Sequence, residues 1–289
     1  MSRQGRLDDQ FSPTSQRLIR FYYSSHIHTI LLFTWTDYKT IFLPITIFAI
    51  TTSPYHSSVH LLQACLWTWI HGLLCNVSNQ VMSRDEDTIN HPWRPLPAGR
   101  VTQLQALQLR WFMVALCILW STTYGKELTP ITLSLITLTF LYDEVGLSSH
   151  PFGKNACNAC AYAAFEFGAV TIMGNFQYPD HISETAVALS AMVILTTIQA
   201  QDFQDVEGDL ASKRITFPIY APEFSRLFTF LVIPLWTVGL VCYWNVGWLV
   251  GMVYIALGII VGVRYYYMRS RQADRRSYLF YNVRSKLSS

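Results

Sequence analysis

Two stretches of the sequence each place three oxygen-bearing side chains at helical spacing: Asn79, Ser83 and Asp87 in the first, and Asp202, Asp205 and Asp209 in the second. On one α-helix, the members of such a triad lie on the same face. Hard divalent cations such as Mg²⁺ bind oxygen ligands and often hold substrate phosphates as well. We therefore predict that both triads bind Mg²⁺. We also predict that Asp87, Asp202 and Asp205 are catalytic, because bridging metal ions turn a diphosphate into a stabilised leaving group.

Basic side chains near the two triads are candidates for binding the remaining diphosphate oxygens through charge-assisted hydrogen bonds. They are Arg94, Arg100, Lys154 and Lys213. The alternative is that the charges of these stretches belong to solvated loops that fix membrane topology. For Asp85, Glu207 and Arg214 the two interpretations are equally good.

The composition indicates the elements that must position these residues. Of 289 residues, 51% are hydrophobic and only 13% are charged, whereas soluble domains carry roughly 25% charged residues. This excludes a disordered regulator, a nucleic-acid-binding protein with a broad basic face and an ordinary cytosolic enzyme. A membrane span needs about 20 apolar residues. Eight runs approach this length, at residues 27–52, 60–82, 103–123, 128–146, 156–174, 183–204, 224–243 and 246–266. The sequence therefore predicts an all-α, polytopic membrane bundle.

The basic residues predict the orientation of this bundle. With a cytosolic N-terminus, 19 of the 21 lysine and arginine residues fall in cytosolic segments or at the cytosolic ends of spans, as the positive-inside rule requires. Both triads then face the cytosol. We expect an integral membrane protein of the endoplasmic reticulum or another endomembrane.

The predicted domain organisation is a cytosolic N-terminal segment, residues 1–26, followed by a single transmembrane domain, residues 27–289. Residues 1–20 have no apolar core of the kind found in cleavable signal peptides. The last 18 residues begin with an amphipathic, aromatic stretch. This tail is either an interfacial helix or the start of a truncated ninth span.

The second triad and its surroundings resemble a motif of the UbiA-type intramembrane prenyltransferases. The pattern Asp202-x-x-Asp205-x-Glu207-Gly208-Asp209, with Thr216-Phe217-Pro218 beyond it, is similar to their second aspartate motif. The pattern Asn79-x-x-x-Ser83-x-x-x-Asp87, with Arg94-Pro95 beyond it, resembles their first. The resemblance extends from about residue 27 over nearly the whole chain. It implies a UbiA-like fold, a prenyl diphosphate substrate and Mg²⁺, and it places Tyr142 and Lys154 near the diphosphate.

The first motif departs from the family pattern, since Gln80 and Ser83 stand where aspartates are usual. The resulting Asn-x-x-x-Ser-x-x-x-acid arrangement resembles the metal triad of class I terpene cyclases, which have a different fold. The stretch from Glu86 to Pro95 also resembles a fungal subgroup of the superfamily that includes membrane-bound sesquiterpene cyclases. We therefore expect a cyclase that ionises a prenyl diphosphate, with farnesyl diphosphate as the favoured substrate.

Two alternatives remain open at this point. One is transfer of the prenyl group to an aromatic or quinone acceptor, which uses the same ionisation step. The other is a transporter or a non-catalytic membrane scaffold. Glu166 is the one acid deep within a predicted span, and such a residue should face the bundle interior. That position fits a pocket wall as well as an ion path.

Overall fold

The structure, a computed structural model, describes residues 26–53 and 57–286, with side chains as far as Asn282. Within these ranges the chain forms helices and turns and no strand. The helices are α1 (Leu43–Thr52), α2 (Ser58–Met82), α3 (Arg84–Asn90), α4 (Gln103–Thr122), α5 (Leu128–Asp143), α6 (Pro151–Met173), α7 (His181–Thr197), α8 (Val206–Ala211), α9 (Phe217–Tyr220), α10 (Pro222–Tyr243), α11 (Trp248–Tyr267) and α12 (Arg271–Lys286). The predicted all-α class is correct for this part of the chain. Residues 1–25 of the predicted N-terminal segment lie outside the described residues.

All eight predicted spans contain helices. In the described part of the chain, five helical segments are long and apolar enough to cross a membrane: Gln103–Thr122, Pro151–Met173, His181–Gln204, Pro222–Tyr243 and Trp248–Tyr267. Helix α5 and the segment Tyr38–Thr52 are apolar but shorter. The first predicted span is not a single regular helix. Residues 26–34 are helical, a turn follows, and a π-helix at Tyr38–Phe42 leads into α1.

A proline explains an unusual contact of this first segment. Pro44 has no N–H, so it cannot donate to the carbonyl of Thr40 four residues earlier, as a helical residue otherwise would. The hydroxyl of Tyr162 in α6 donates to the Thr40 oxygen instead, at 2.8 Å. The broken first segment is therefore fixed to the middle of α6.

Helix α6 lies at the centre of the bundle and contacts α1, α2, α5 and α7. Its alanine- and glycine-rich sequence permits this close approach. At Gly168, an added Cβ would lie only 2.7 Å from Cζ3 of Trp67. The large Trp67 ring, which is fully buried, thus packs directly onto the α6 backbone.

A closed ring of hydrogen bonds connects α2, α4 and α5 around Trp67. Its indole N–H donates to Ser121 Oγ at 3.0 Å, and Ser121 and Thr132 hydroxyls are 2.6 Å apart. Thr132 Oγ1 is 2.9 Å from Nε2 of His71, whose Nδ1 is 2.8 Å from the Trp67 carbonyl. Because the carbonyl can only accept, Nδ1 carries the proton and Nε2 accepts from Thr132. All four side chains are buried and satisfied.

The last helix, α12, belongs to the bundle. Asp274, Ser277 and Tyr281 are spaced along one face of α12 and are all buried. Arg226 of α10 donates two hydrogen bonds to Asp274, at 2.6 and 2.9 Å, and the Tyr281 hydroxyl is 2.8 Å from Thr197 Oγ1. The tail therefore packs against α10, the end of α7 and the second motif.

Candidate active site

The first triad does not lie on one continuous helix. Helix α2 ends at Met82, and Ser83 adopts a non-helical conformation (φ −110°, ψ 24°) before α3 begins. Asn79 Nδ2 donates to Asp143 Oδ1 at 3.2 Å, while Arg94 donates to Asp87 Oδ1 at 2.6 Å. The single face predicted from the spacing is thus interrupted at its middle member.

Arg214 forms a hydrogen bond with the hydroxyl of Ser83. Its Nη2 donates to Ser83 Oγ at 2.8 Å, and its Nη1 forms an ion pair with Glu86. Ser83 is therefore engaged by a cation in this structure, and the three predicted ligands of the first motif make three different contacts.

The second triad is also divided between two kinds of helix. A 3₁₀-helix at Ile198–Gln204 follows α7, and Asp205 is the junction to α8. Asp202 is buried in an ion pair with Lys154, at 2.8 Å from its Nζ. Asp209 accepts from the Thr216 hydroxyl at 3.1 Å. The third member, Asp205, faces a cavity, and its buried Oδ1 has no hydrogen-bond partner among the described residues.

Burial sets the proton affinity of the carboxyl groups that lie outside the spans. Desolvation raises the pKa of Asp205 to about 7, although the nearby ammonium of Lys154 opposes the shift. Desolvation likewise raises the pKa of Asp87 to about 6, against the attraction of Arg94. A metal cation bound beside either carboxyl group would favour its ionised form and lower its pKa again.

The connectors that carry the two motifs touch each other. Asn90 Nδ2 in α3 donates to the backbone oxygen of Asp205 at 3.2 Å. Arg271 of α12 reaches both connectors, at 3.0 Å from Asn90 Oδ1 and 2.6 Å from Glu207 Oε2. Gly208 permits this approach, because a Cβ there would overlap the Asn90 carboxamide. The two motifs thus form one site at one end of the bundle.

A cavity of about 830 Å³ opens at this site. Along α6 its lining residues are Cys157, Asn158, Ala161, Tyr162 and Phe165. With a rise of about 1.5 Å per residue, the stretch from Asn158 to Phe165 extends roughly 10 Å away from the motifs, and its character changes from amide to aromatic. The cavity is therefore polar at the motifs and apolar farther inside, which suits an amphiphile with an anionic head.

The residues predicted to bind a diphosphate divide into two groups. Arg94 and Tyr142 line the cavity, and Lys154 lies behind it in the pair with Asp202. Arg100 and Lys213 are exposed and do not line the cavity. For these two residues, binding of the diphosphate stays a prediction.

Several cavity residues were not predicted as site residues. Asp143 lines the cavity and accepts from Ser78 Oγ at 2.7 Å as well as from Asn79. Arg271 and Arg275 contribute cationic side chains from the tail. Glu166, by contrast, is not part of the lining and accepts from Ser190 Oγ at 2.6 Å.

The oxygen donors near the motif junction determine whether the site can hold a divalent cation. Among the described residues, no three carboxylate, imidazole or thiol groups converge closely enough to hold an ion by themselves. However, Asp87 Oδ2 and Asp205 Oδ1 are buried oxygens without hydrogen-bond partners in that same part of the chain. Buried carboxylate oxygens are rarely left unpaired. Hard oxygen donors of this kind fit Mg²⁺ if phosphate oxygens complete its coordination.

The fold and the cavity define an all-helical membrane protein with a polar site at one end of its bundle. Residues 41–283 match the UbiA prenyltransferase family, and the chain therefore belongs to that family. The predicted family resemblance is confirmed.

Curated relatives include cyclases and transferases. The fumagillin beta-trans-bergamotene synthase af520 of Aspergillus fumigatus is 28% identical over 81% of this chain and 81% of its own length. Two Hericium erinaceus proteins are equally similar. The polyprenyl transferase eriF is 30% identical over 86% of this chain and 88% of its own, and the diterpene cyclase eriG is 31% identical over 86% and 82%.

A solved structure shares the fold. A UbiA homolog from Archaeoglobus fulgidus, bound to GPP and Mg²⁺, superposes with a TM-score of 0.66 at 14% identity. The match covers 90% of this chain and 98% of that chain. The UbiA-like fold therefore extends over 90% of this chain.

Proposed function

We propose that this protein is a membrane-bound terpene cyclase that ionises a prenyl diphosphate, with farnesyl diphosphate as the preferred substrate. The observation that carries the proposal is the contact between the two motif connectors at the polar end of a cavity with aromatic walls. An anionic head and an apolar tail match the two ends of that cavity. The related synthase and cyclase support intramolecular chemistry.

The proposed ligands of Mg²⁺ are Asp87 and Asp205, each of which has a buried carboxylate oxygen without a hydrogen-bond partner among the described residues, with Asn79 from the end of α2 as a further oxygen donor. Bound Mg²⁺ would neutralise the diphosphate and make it a better leaving group. Lys154 keeps Asp202 paired and in place behind Asp205. Arg94 lines the cavity and is positioned to donate to a phosphate oxygen.

Ionisation breaks the bond between the allylic carbon and oxygen, and the diphosphate leaves with the electron pair. A double bond of the same chain then attacks the allylic cation, and loss of a proton gives a neutral cyclic hydrocarbon. The faces of Tyr162 and Phe165 can stabilise the cation by about 0.5–2 kcal/mol each. The apolar walls exclude water, which would otherwise capture the cation.

Prenyl transfer is the second candidate, and the similarity to the polyprenyl transferase favours it specifically. It requires the same ionisation, followed by attack from an aromatic or quinone acceptor. The cavity is open at its mouth, so its shape admits both reactions.

Product analysis distinguishes these two functions. Membranes containing the protein are incubated with Mg²⁺ and geranyl, farnesyl or geranylgeranyl diphosphate, with and without an aromatic acid. A volatile hydrocarbon from farnesyl diphosphate alone is the expected result. A product that forms only after the acceptor is added would establish transfer instead. Diphosphate release that survives both EDTA and Asp205→Asn would contradict the proposed site.

A further inference from the structure

The tail helix forms part of the cavity wall. Four residues of α12 line the cavity: Arg271, Arg275, Tyr278 and Leu279. Their spacing of four, seven and eight residues is that of a single helical face. The neighbouring face of α12, which carries Asp274 and Tyr281, is buried against α10 and the end of α7. The packing of one face therefore fixes the other face toward the cavity.

The two arginines of α12 that line the cavity differ in their partners. Arg271 is held between Asn90 and Glu207, as described above. Arg275 forms no hydrogen bond or ion pair with any of the residues that the structure describes, and it is exposed at the cavity mouth. Arg271 thus links the connectors, whereas the charge of Arg275 is available to a ligand.

Three arginines line the cavity at this mouth: Arg94, Arg271 and Arg275. Carboxylates that line the same cavity are Asp37, Asp143 and Asp205. Asp37 accepts from Thr40 and Asp143 from Ser78 and Asn79, so neither pairs with an arginine of the mouth.

We propose that Arg275 binds the diphosphate of the prenyl substrate, so that the tail helix supplies an anchor for the anionic head in addition to the two motif connectors. This inference rests on the proposed function, because the ligand is its substrate. A guanidinium group offers several N–H donors in a fixed plane and binds phosphate oxygens well. The same chemistry would also suit the phosphate of a lipid headgroup, and the experiment separates the two sources.

The adjacent residue provides a matched control. Arg276 is exposed, lies outside the cavity lining and has no ion pair among the described residues. Arg275→Gln and Arg276→Gln remove the same charge from neighbouring positions on one helix. Any effect of net charge or of tail stability is therefore shared, and only a contact with the ligand distinguishes the two variants.

The test measures binding of inorganic pyrophosphate with Mg²⁺ by calorimetry, using full-length protein in neutral detergent. It also measures KM and kcat with farnesyl diphosphate. Arg275→Gln should weaken pyrophosphate binding and raise KM by about fivefold, the scale of a partly exposed charge contact. Arg276→Gln should match the wild type, and Arg275→Lys should recover much of the loss because it restores the charge.

Three results would overturn the inference, and they differ from one another. Equal affinities of the two glutamine variants, with wild-type binding intact, would remove the role of Arg275 and leave the proposed function standing. A difference that appears only after anionic lipid is added would assign Arg275 to a headgroup. A wild-type protein that neither binds pyrophosphate nor consumes any prenyl diphosphate would refute the proposed function itself.

Discussion

Replacement of Gly208 by alanine should separate the two motif connectors. A Cβ at this position would lie 2.5 Å from Cγ and 2.7 Å from Oδ1 of Asn90. The backbone of Gly208 does not have a positive φ, so the effect is purely one of space. Alanine gains about 0.8–1 kcal/mol in helix propensity over glycine. Against this, Asn90 would lose two hydrogen bonds at about 1 kcal/mol each, and overpacking would cost about 1–3 kcal/mol.

The balance predicts a net destabilisation of about 2–4 kcal/mol for Gly208→Ala. Thermal unfolding in detergent should shift downward by about 5–10 °C. Diphosphate release should fall by about tenfold to a hundredfold, because small displacements of groups that bind one substrate are costly. Gly239→Ala is the control, since nothing lies within 4 Å of a Cβ there. It should leave both quantities nearly unchanged.

A double-mutant cycle tests the cause of this effect. In an Asn90→Ala background the overlapping carboxamide is absent, so alanine at position 208 should cost little further stability. An equally large loss in that background would show that Asn90 is not the obstacle. Wild-type stability and turnover for Gly208→Ala alone would refute the close approach of the connectors.

Three further changes have expected outcomes. Asp205→Asn should abolish diphosphate release without lowering the thermal midpoint, because its Oδ1 has no partner among the described residues; a large loss of stability would indicate a structural role. Lys154→Met should destabilise the protein by about 3–5 kcal/mol by leaving Asp202 buried and unpaired, and chemical denaturation should show recovery when Asp202→Asn is added. Gly262→Ala should lower the free energy of unfolding by about 1–3 kcal/mol, since a Cβ would lie 2.7 Å from the backbone oxygen of Phe230. The same denaturation assay measures this, with Gly239→Ala as the control. Equal stabilities of the two variants would contradict the prediction.

Hydrophobic runs were sufficient to predict the helices among the residues that the structure describes. Run length depends on neighbouring residues only, and all eight runs contain helices in the structure. A Cβ at Gly258 would meet Thr237, and one at Gly262 would meet the backbone of Phe230, so both glycines allow α11 to approach α10 closely. Periodicity could not reveal the break at Ser83, because an apolar helix and a short polar helix can follow each other without a proline or glycine between them.

Hydrophobic runs and local spacing could not predict side-chain contacts between residues that are far apart in the sequence. Asp143 pairs with Asn79 across 64 positions, and Arg214 reaches Ser83 across 131. These contacts depend on how helices are arranged around α6. Arg100 and Lys213 lie near the motifs in sequence but outside the cavity lining, because nearness in sequence does not fix the direction in which a side chain points. The tail arginines carried a usable signal, namely their spacing of four residues on an amphipathic helix.

Pro44 bears on the orientation of Tyr162 in the cavity. Because Pro44 lacks an N–H, it cannot donate to the Thr40 carbonyl, which accepts from the Tyr162 hydroxyl at 2.8 Å. Both Thr40 and Tyr162 line the cavity. In the proposed reaction, a phenol oxygen is a nucleophile that would compete with the double bonds of the substrate for the allylic cation. The hydrogen bond to the first segment therefore fixes where that oxygen lies relative to the substrate.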